Sequence, residues 1–176
     1  MTRLARLVAG IDAVNNAIGR GVAWLTLAMV LADALVVGLR YGFGIGWTGL
    51  QESVTYMHAT VFLLAAAYAL NRDDHVRVDI FQRQWSLRRR ALVDLLGSLC
   101  LLLPVAVTLA ALSLGYVADA WRRMETSAQP GGLPFVYLLK TLILVVAAQL
   151  AAAALARAGH SWLTLRDNPT EAGSWR

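Results

Sequence analysis

Residues 21–39 read GVAWLTLAMVLADALVVGL, and the single charge among them is Asp33. A helix needs about 20 apolar residues to cross roughly 30 Å of hydrocarbon, so this stretch is long enough to span a bilayer. Three more such stretches follow. The second covers about 53–70, with Gln51 and Glu52 at its mouth and His58 within. The third covers about 91–118, long enough to tilt or to project from the bilayer, and Pro104 near its middle predicts a kink. The fourth covers about 134–156 and carries Lys140 and Gln149. The expected fold is therefore an all-α membrane protein with four transmembrane helices.

Composition agrees with that reading. Of 176 residues, 58% are hydrophobic and 15% charged, and the mean hydropathy is +0.56. Soluble domains run nearer half apolar and a quarter charged. Apolar residues in long unbroken runs argue against a soluble enzyme. The net charge of +5 would suit a nucleic-acid binder if the basic residues stood on polar helices or among aromatics. They flank the apolar stretches instead, as orienting residues do. Cys100 stands alone inside an apolar run, which leaves no disulfide framework and predicts a small core residue. No short apolar segment ending in a small-residue cleavage site marks a signal peptide near the N-terminus.

The arginines set the expected orientation. With the N-terminus in the cytoplasm, Arg3, Arg6 and Arg20 precede the first span. Arg72, Arg77, Arg83, Arg88, Arg89 and Arg90 lie between the second and third, and Arg157, Arg166 and Arg176 follow the fourth. Those twelve stand against Arg40, Arg122 and Arg123 on the other side. Basic residues concentrate on the cytoplasmic side, so both termini are expected there.

The chain reads as one membrane domain over residues 1–176. Residues 3–20 place Leu4, Leu7, Val8, Ile11, Val14 and Ile18 at helical spacing, which predicts a separate amphipathic helix lying at the cytoplasmic interface. Residues 157–176 form the expected cytoplasmic tail. The outer connection ends in Gln129-Pro130-Gly131-Gly132-Leu133-Pro134, a turn introducing the last helix. No internal repeat or inverted pair of broken helices is visible, and complete transporters usually have one.

Charges within hydrocarbon call for a partner or a role. Asp33 and Lys140 lie at similar depths, each about six residues inside an outer helix end. That predicts either a structural ion pair in the bundle or part of an ion relay. His58 reads as a hydrogen-bonded core histidine, because a haem anchor would need a second ligand facing it and neither His75 nor His160 is in a span. Glu52, whose helix face continues through Tyr56, is a solvated helix-start carboxylate or a contact for a partner. Small residues four apart, including Ala28 and Ala32, Ala65 and Ala69, and Ala148, Ala152 and Ala156, let helices approach closely. No nucleophile–base grouping, phosphate loop or metal-ligand spacing is present, so the chain is not expected to be an enzyme or to hold a cofactor.

Several segments share a more specific pattern: Arg40-Tyr41-Gly42-Phe43-Gly44, then Trp47 and Glu52, then Asn71-Arg72-Asp73-Asp74-His75-Val76-Arg77-Val78-Asp79, then Gly132-Leu133-Pro134. In this order they resemble the small membrane subunit of TRAP transporters (tripartite ATP-independent periplasmic transporters, the DctQ family). The resemblance covers all four spans and makes Arg72, His75, Arg77 and Asp79 a cytoplasmic loop motif. Asp73-Asp74 departs from it, standing where many relatives carry small residues. In such systems a periplasmic binding protein captures an organic acid, often a carboxylate, and a large permease subunit carries it inward on a sodium gradient. The small subunit binds and scaffolds the large one. The resemblance thus implies an obligate large-subunit partner, a binding protein reached through the complex, membrane lipid, no nucleic acid, and the bacterial inner membrane. Two rival readings come from other classes. One is an autonomous four-helix channel or proton-coupled carrier using Asp33, His58 and Lys140; the other is the cofactor-holding membrane anchor of a respiratory enzyme. A neighbouring gene for a large permease would separate them.

Overall fold

The computed structural model describes residues 3–71 and 85–167, and every regular element among them is helical. Helix α1 runs Arg3–Phe43, α2 Thr48–Asn71, α3 Leu87–Gly97, α4 Leu103–Arg122 and α5 Val136–Asp167. A π turn, Ser98–Leu102, joins α3 to α4 without a break. Three helical stretches are long and apolar enough to cross a membrane: Ala5–Phe43, Leu87–Arg122 and Val136–Arg166. Helix α2 is a fourth long helix, but Gln51, Glu52, Ser53, Thr55 and His58 make its first half more polar.

Helix α5 is the centre of the bundle and touches α1, α2, α3 and α4. Most of its buried positions are small, among them Ala147, Ala153, Ala154, Ala156 and Ala158, with Tyr137, Val146 and Gln149 the larger exceptions. Large apolar side chains point outward: Trp24, Phe62, Leu101 and Leu112 are 70–79% exposed. Lipid tails are as apolar as leucine, so burying leucine gives no drive for helices to associate in a bilayer; close backbone approach at small residues does. Of the expected stripe Ala148, Ala152 and Ala156, only Ala156 is buried, because the face turned to the other helices is broader than one four-residue row. Cys100, expected in the core, is on the exposed surface of the π turn.

The expected separate interfacial helix does not form. Helix α1 is continuous through Arg20 and Gly21 for 41 residues, about 60 Å at 1.5 Å per residue. No proline or capping residue stops it, and its N-terminal third packs sideways on α5. Val8, Asn15, Gly19 and Val22 form the buried stripe, whereas Leu7 and Val14, on the expected apolar face, are exposed. The contact is closed by Asp12, whose Oδ2 lies 2.7 Å from His160 Nε2 on α5.

Pro104 lies just beyond the π turn. Proline has no N–H to offer the carbonyl four residues back, and its ring crowds it. Widening the ladder by one residue absorbs the defect: the Leu103 N–H reaches back five residues to the Ser98 carbonyl. At the other end of this helix Ser86 is the N-cap, its Oγ accepting from the Arg89 N–H at 3.4 Å.

Two short connections meet at one end of the bundle, here called distal: residues 44–47 and 123–135. In the first, Gly44 takes φ +67° and the Ile45 N–H returns to the Leu39 carbonyl at 3.0 Å. Positive φ is nearly free for glycine and costs other residues.

Candidate functional site

At the distal end α4 closes with a Schellman turn. The Glu125 N–H donates to the Ala120 carbonyl at 3.0 Å and the Met124 N–H to the Trp121 carbonyl at 3.1 Å, with Met124 at φ 45°. The turn carries Glu125 back over the first turns of α5, where Lys140 projects. Lys140 Nζ lies 2.8 and 2.6 Å from the two Glu125 oxygens and 3.9 Å from the centroid of the Tyr116 ring. Alongside, Trp121 Nε1 donates to Thr141 Oγ1 at 2.9 Å, and the Trp121 and Tyr137 rings meet edge to face at 4.7 Å.

The rest of the distal loop is fastened to α2. Gln129 to Gly132 form a turn with Pro130 second and Gly131, φ +74°, third, closed by the Gly132 N–H on the Gln129 carbonyl at 3.0 Å; this is the type II pattern. Ser127 and Leu133 are thereby brought together, the Ser127 N–H bonding the Leu133 carbonyl at 3.0 Å. Both then donate to Glu52: the Ser127 hydroxyl to Oε1, and the Leu133 N–H to Oε2 at 2.7 Å. Gly132 admits this contact, since a Cβ there would stand 2.5 Å from Ser127 Oγ and 2.8 Å from Glu52 Oε1. The Ser127 hydroxyl first and the Leu133 amide second hold the Glu52 carboxyl below its ordinary pKa. Helix α2 meets the loop closely too: a Cβ on Gly49 would be 3.1 Å from the Gly131 carbonyl oxygen.

These contacts revise two expectations. Lys140 pairs with Glu125, not with Asp33: it stands four residues into α5, turned toward α4 and the distal loop, whereas Asp33 lies ten residues before the end of α1. Glu52, expected to be a solvated helix-start carboxylate or a contact for a partner, spends both oxygens inside its own chain, and among the described residues the Tyr56 hydroxyl is buried without a hydrogen-bond partner. Asp33 instead lines an open groove between α1 and α2, shared with Thr55 and His58. His58, expected in the core, is exposed there. Among the described residues Asp33 makes no hydrogen bond or ion pair.

Three further polar ties went unforeseen. Gln149 Nε2 donates to the Leu64 carbonyl at 3.2 Å, while Arg157 meets Asp94 at 3.4 Å and Asp12 meets His160. Each joins α5 to another helix. Glu125 also went unforeseen, although it was the nearest loop carboxylate to Lys140 in sequence. The motif Arg72, His75, Arg77 and Asp79 lies outside the described residues. Among the described residues no three His, Cys, Asp or Glu side chains are placed to hold a metal ion.

The Glu52 staple has a testable consequence. Its folded pKa is depressed, so its contribution is complete above the ordinary value near 4.5 and is lost as pH falls through the folded value. Thermal stability in detergent should therefore drop on acidification below about pH 4.5 in the parent, and this acid-dependent loss should shrink in Glu52→Gln. An identical acid profile for both chains would show that Glu52 does not hold the loop.

Searches of curated proteins and of solved structures found no match. The family described as "Tripartite ATP-independent periplasmic transporters, DctQ component" matches residues 27–164. That match runs from mid-α1 almost to the end of α5, well over half of the chain, and the chain therefore belongs to the DctQ family, a family of transporter components.

Proposed function

We propose that this chain is the small membrane subunit that binds and scaffolds the large permease subunit of a TRAP transporter. The complex would take up an organic acid of the carboxylate class, delivered by a periplasmic binding protein, on a sodium gradient. The family match over residues 27–164 carries this reading. In the same reading α2 is a fourth span, the distal end faces the periplasm, both termini are cytoplasmic, and the membrane is the bacterial inner one; the arginine distribution supports it. The whole chain acts as one membrane domain.

The geometry favours a scaffold over an autonomous carrier. A relay through Asp33, His58 and Lys140 needs the three groups on one path. Lys140 is held by Glu125 on the α4 side of α5, while Asp33 and His58 share the α1–α2 groove. The proposal is tested by co-expressing the tagged chain with the large permease subunit of its own transporter and purifying in mild detergent. A stable complex that survives size-exclusion is expected. A chain that elutes alone, with the permease fully active without it, would defeat the proposal.

A further inference from the structure

The α1–α2 groove extends further than its middle. On α1, residues 29, 33, 36 and 40 recur at intervals of four and three, and on α2 so do 51, 54 and 58, with Trp47 just before the helix start, so each set forms one row along its helix. Met29 and Asp33 line the inner part of the seam with Val54, Thr55 and His58, and Val36 and Arg40 line the distal part with Trp47 and Gln51. Asp33, Arg40, Gln51, Thr55 and His58 are all exposed on it. Among the described residues neither Asp33 nor Arg40 has a hydrogen bond or ion pair. Asp33 lies ten residues before the end of α1, about 15 Å along its axis. An unpartnered carboxylate at that depth is expensive against lipid. Elsewhere along α1 and α4, large apolar side chains that lipid suits are exposed, among them Trp24, Leu31, Leu35, Val105 and Leu112.

We propose that a membrane-embedded helix of the large permease subunit lies along the α1–α2 seam. It presents a basic side chain to Asp33 and, two turns nearer the distal end, a carboxylate to Arg40. The proposal rests on the scaffold reading above and adds the face, the charge order and the spacing. Asp33 and Arg40 are seven residues apart on one row, so the partner helix carries its two charges about seven residues apart, the acidic one nearer the distal end. A second copy of this chain does not fit. Two copies inserted with the same orientation place Asp33 level with Asp33, and like charges in hydrocarbon repel.

The test uses the complex of the full chain with its large permease subunit. Cys100 is first replaced by serine, and single cysteines are then placed at Thr55 on the seam and at Leu112 on the exposed face of α4. Each is coupled to a benzophenone maleimide and illuminated. Thr55→Cys is expected to give an adduct with the large subunit, and Leu112→Cys is not. Asp33→Lys is expected to lower co-purification about tenfold, with rescue by an acidic residue at the basic position identified by the Thr55 adduct. Asp33→Asn, which keeps the shape, gives a second reading if the lysine variant does not elute as a monodisperse peak. An adduct from Leu112→Cys alone, an adduct of Thr55→Cys with a second copy, or undiminished co-purification of both Asp33 variants would overturn the seam while leaving the scaffold reading intact. Failure of the parent chain itself to co-purify would instead defeat the scaffold reading.

Discussion

Replacing Lys140 with methionine is expected to lower the yield of monodisperse protein severalfold, and Glu125→Leu to do the same. The two groups contact each other at 2.6 Å, with Lys140 15% and Glu125 37% exposed, so removing either strands the other at the edge of the bundle. Breaking such a pair is far costlier than replacing both members with apolar residues, because the cost is that of the orphaned charge. The double variant Lys140→Met with Glu125→Leu should recover most of the yield, leaving Tyr116 packed against the methionine. Combining Asp33→Leu with Lys140→Met should give no such recovery, because those two side chains do not meet. Fluorescence-detected size exclusion of the four variants checks this. Recovery in the Asp33 combination but not in the Glu125 one would return the pairing to Asp33.

Ala154→Leu should be the other strongly damaging change. Ala154 is 0% exposed on the helix that touches every other helix of the bundle. Three added carbons have nowhere to go without separating the helices, and forcing extra methylenes into a packed interior costs typically 1–3 kcal/mol. Ala148→Leu, on the exposed side of the same helix, should be nearly silent. Thermal unfolding of the two variants in detergent distinguishes them. Equal midpoints would mean that α5 does not sit at the centre.

Much of this was legible from local pattern. Runs of about 20 apolar residues mark candidate spans because hydrocarbon thickness fixes their length; helices cover nearly all of the four expected stretches, and among the described residues three are long and apolar enough to cross a membrane. The limits of α1 were not legible. Amphipathic spacing over residues 3–20 fits both a helix lying on a membrane and one continuing upright against a neighbour. The buried Asn15 and the Asp12–His160 contact, 148 residues apart, decide for the second. Neither the level of Lys140 nor its direction was readable: counting apolar residues set it level with Asp33, which lies ten residues before the end of α1, whereas Lys140 stands four residues into α5. Its true partner reaches it only because Met124 adopts a left-handed conformation, and a methionine there gives none of the signal a glycine would. Glu52 read as a solvated helix-start carboxylate or a partner contact, yet its hydrogen bonds are internal. Its donors come from a loop 75 and 81 residues away, placed by the Pro130-Gly131 turn. The turn was visible in sequence and its target was not.

A scaffold subunit is expected to serve its partner and not to transport by itself. Proteoliposomes carrying this chain alone, the large permease subunit alone, or both, can be supplied on the outside with the periplasmic binding protein and a panel of radiolabelled carboxylates under an inward sodium gradient. Sodium-dependent accumulation is expected only when both membrane subunits are present; accumulation by this chain alone would contradict the account.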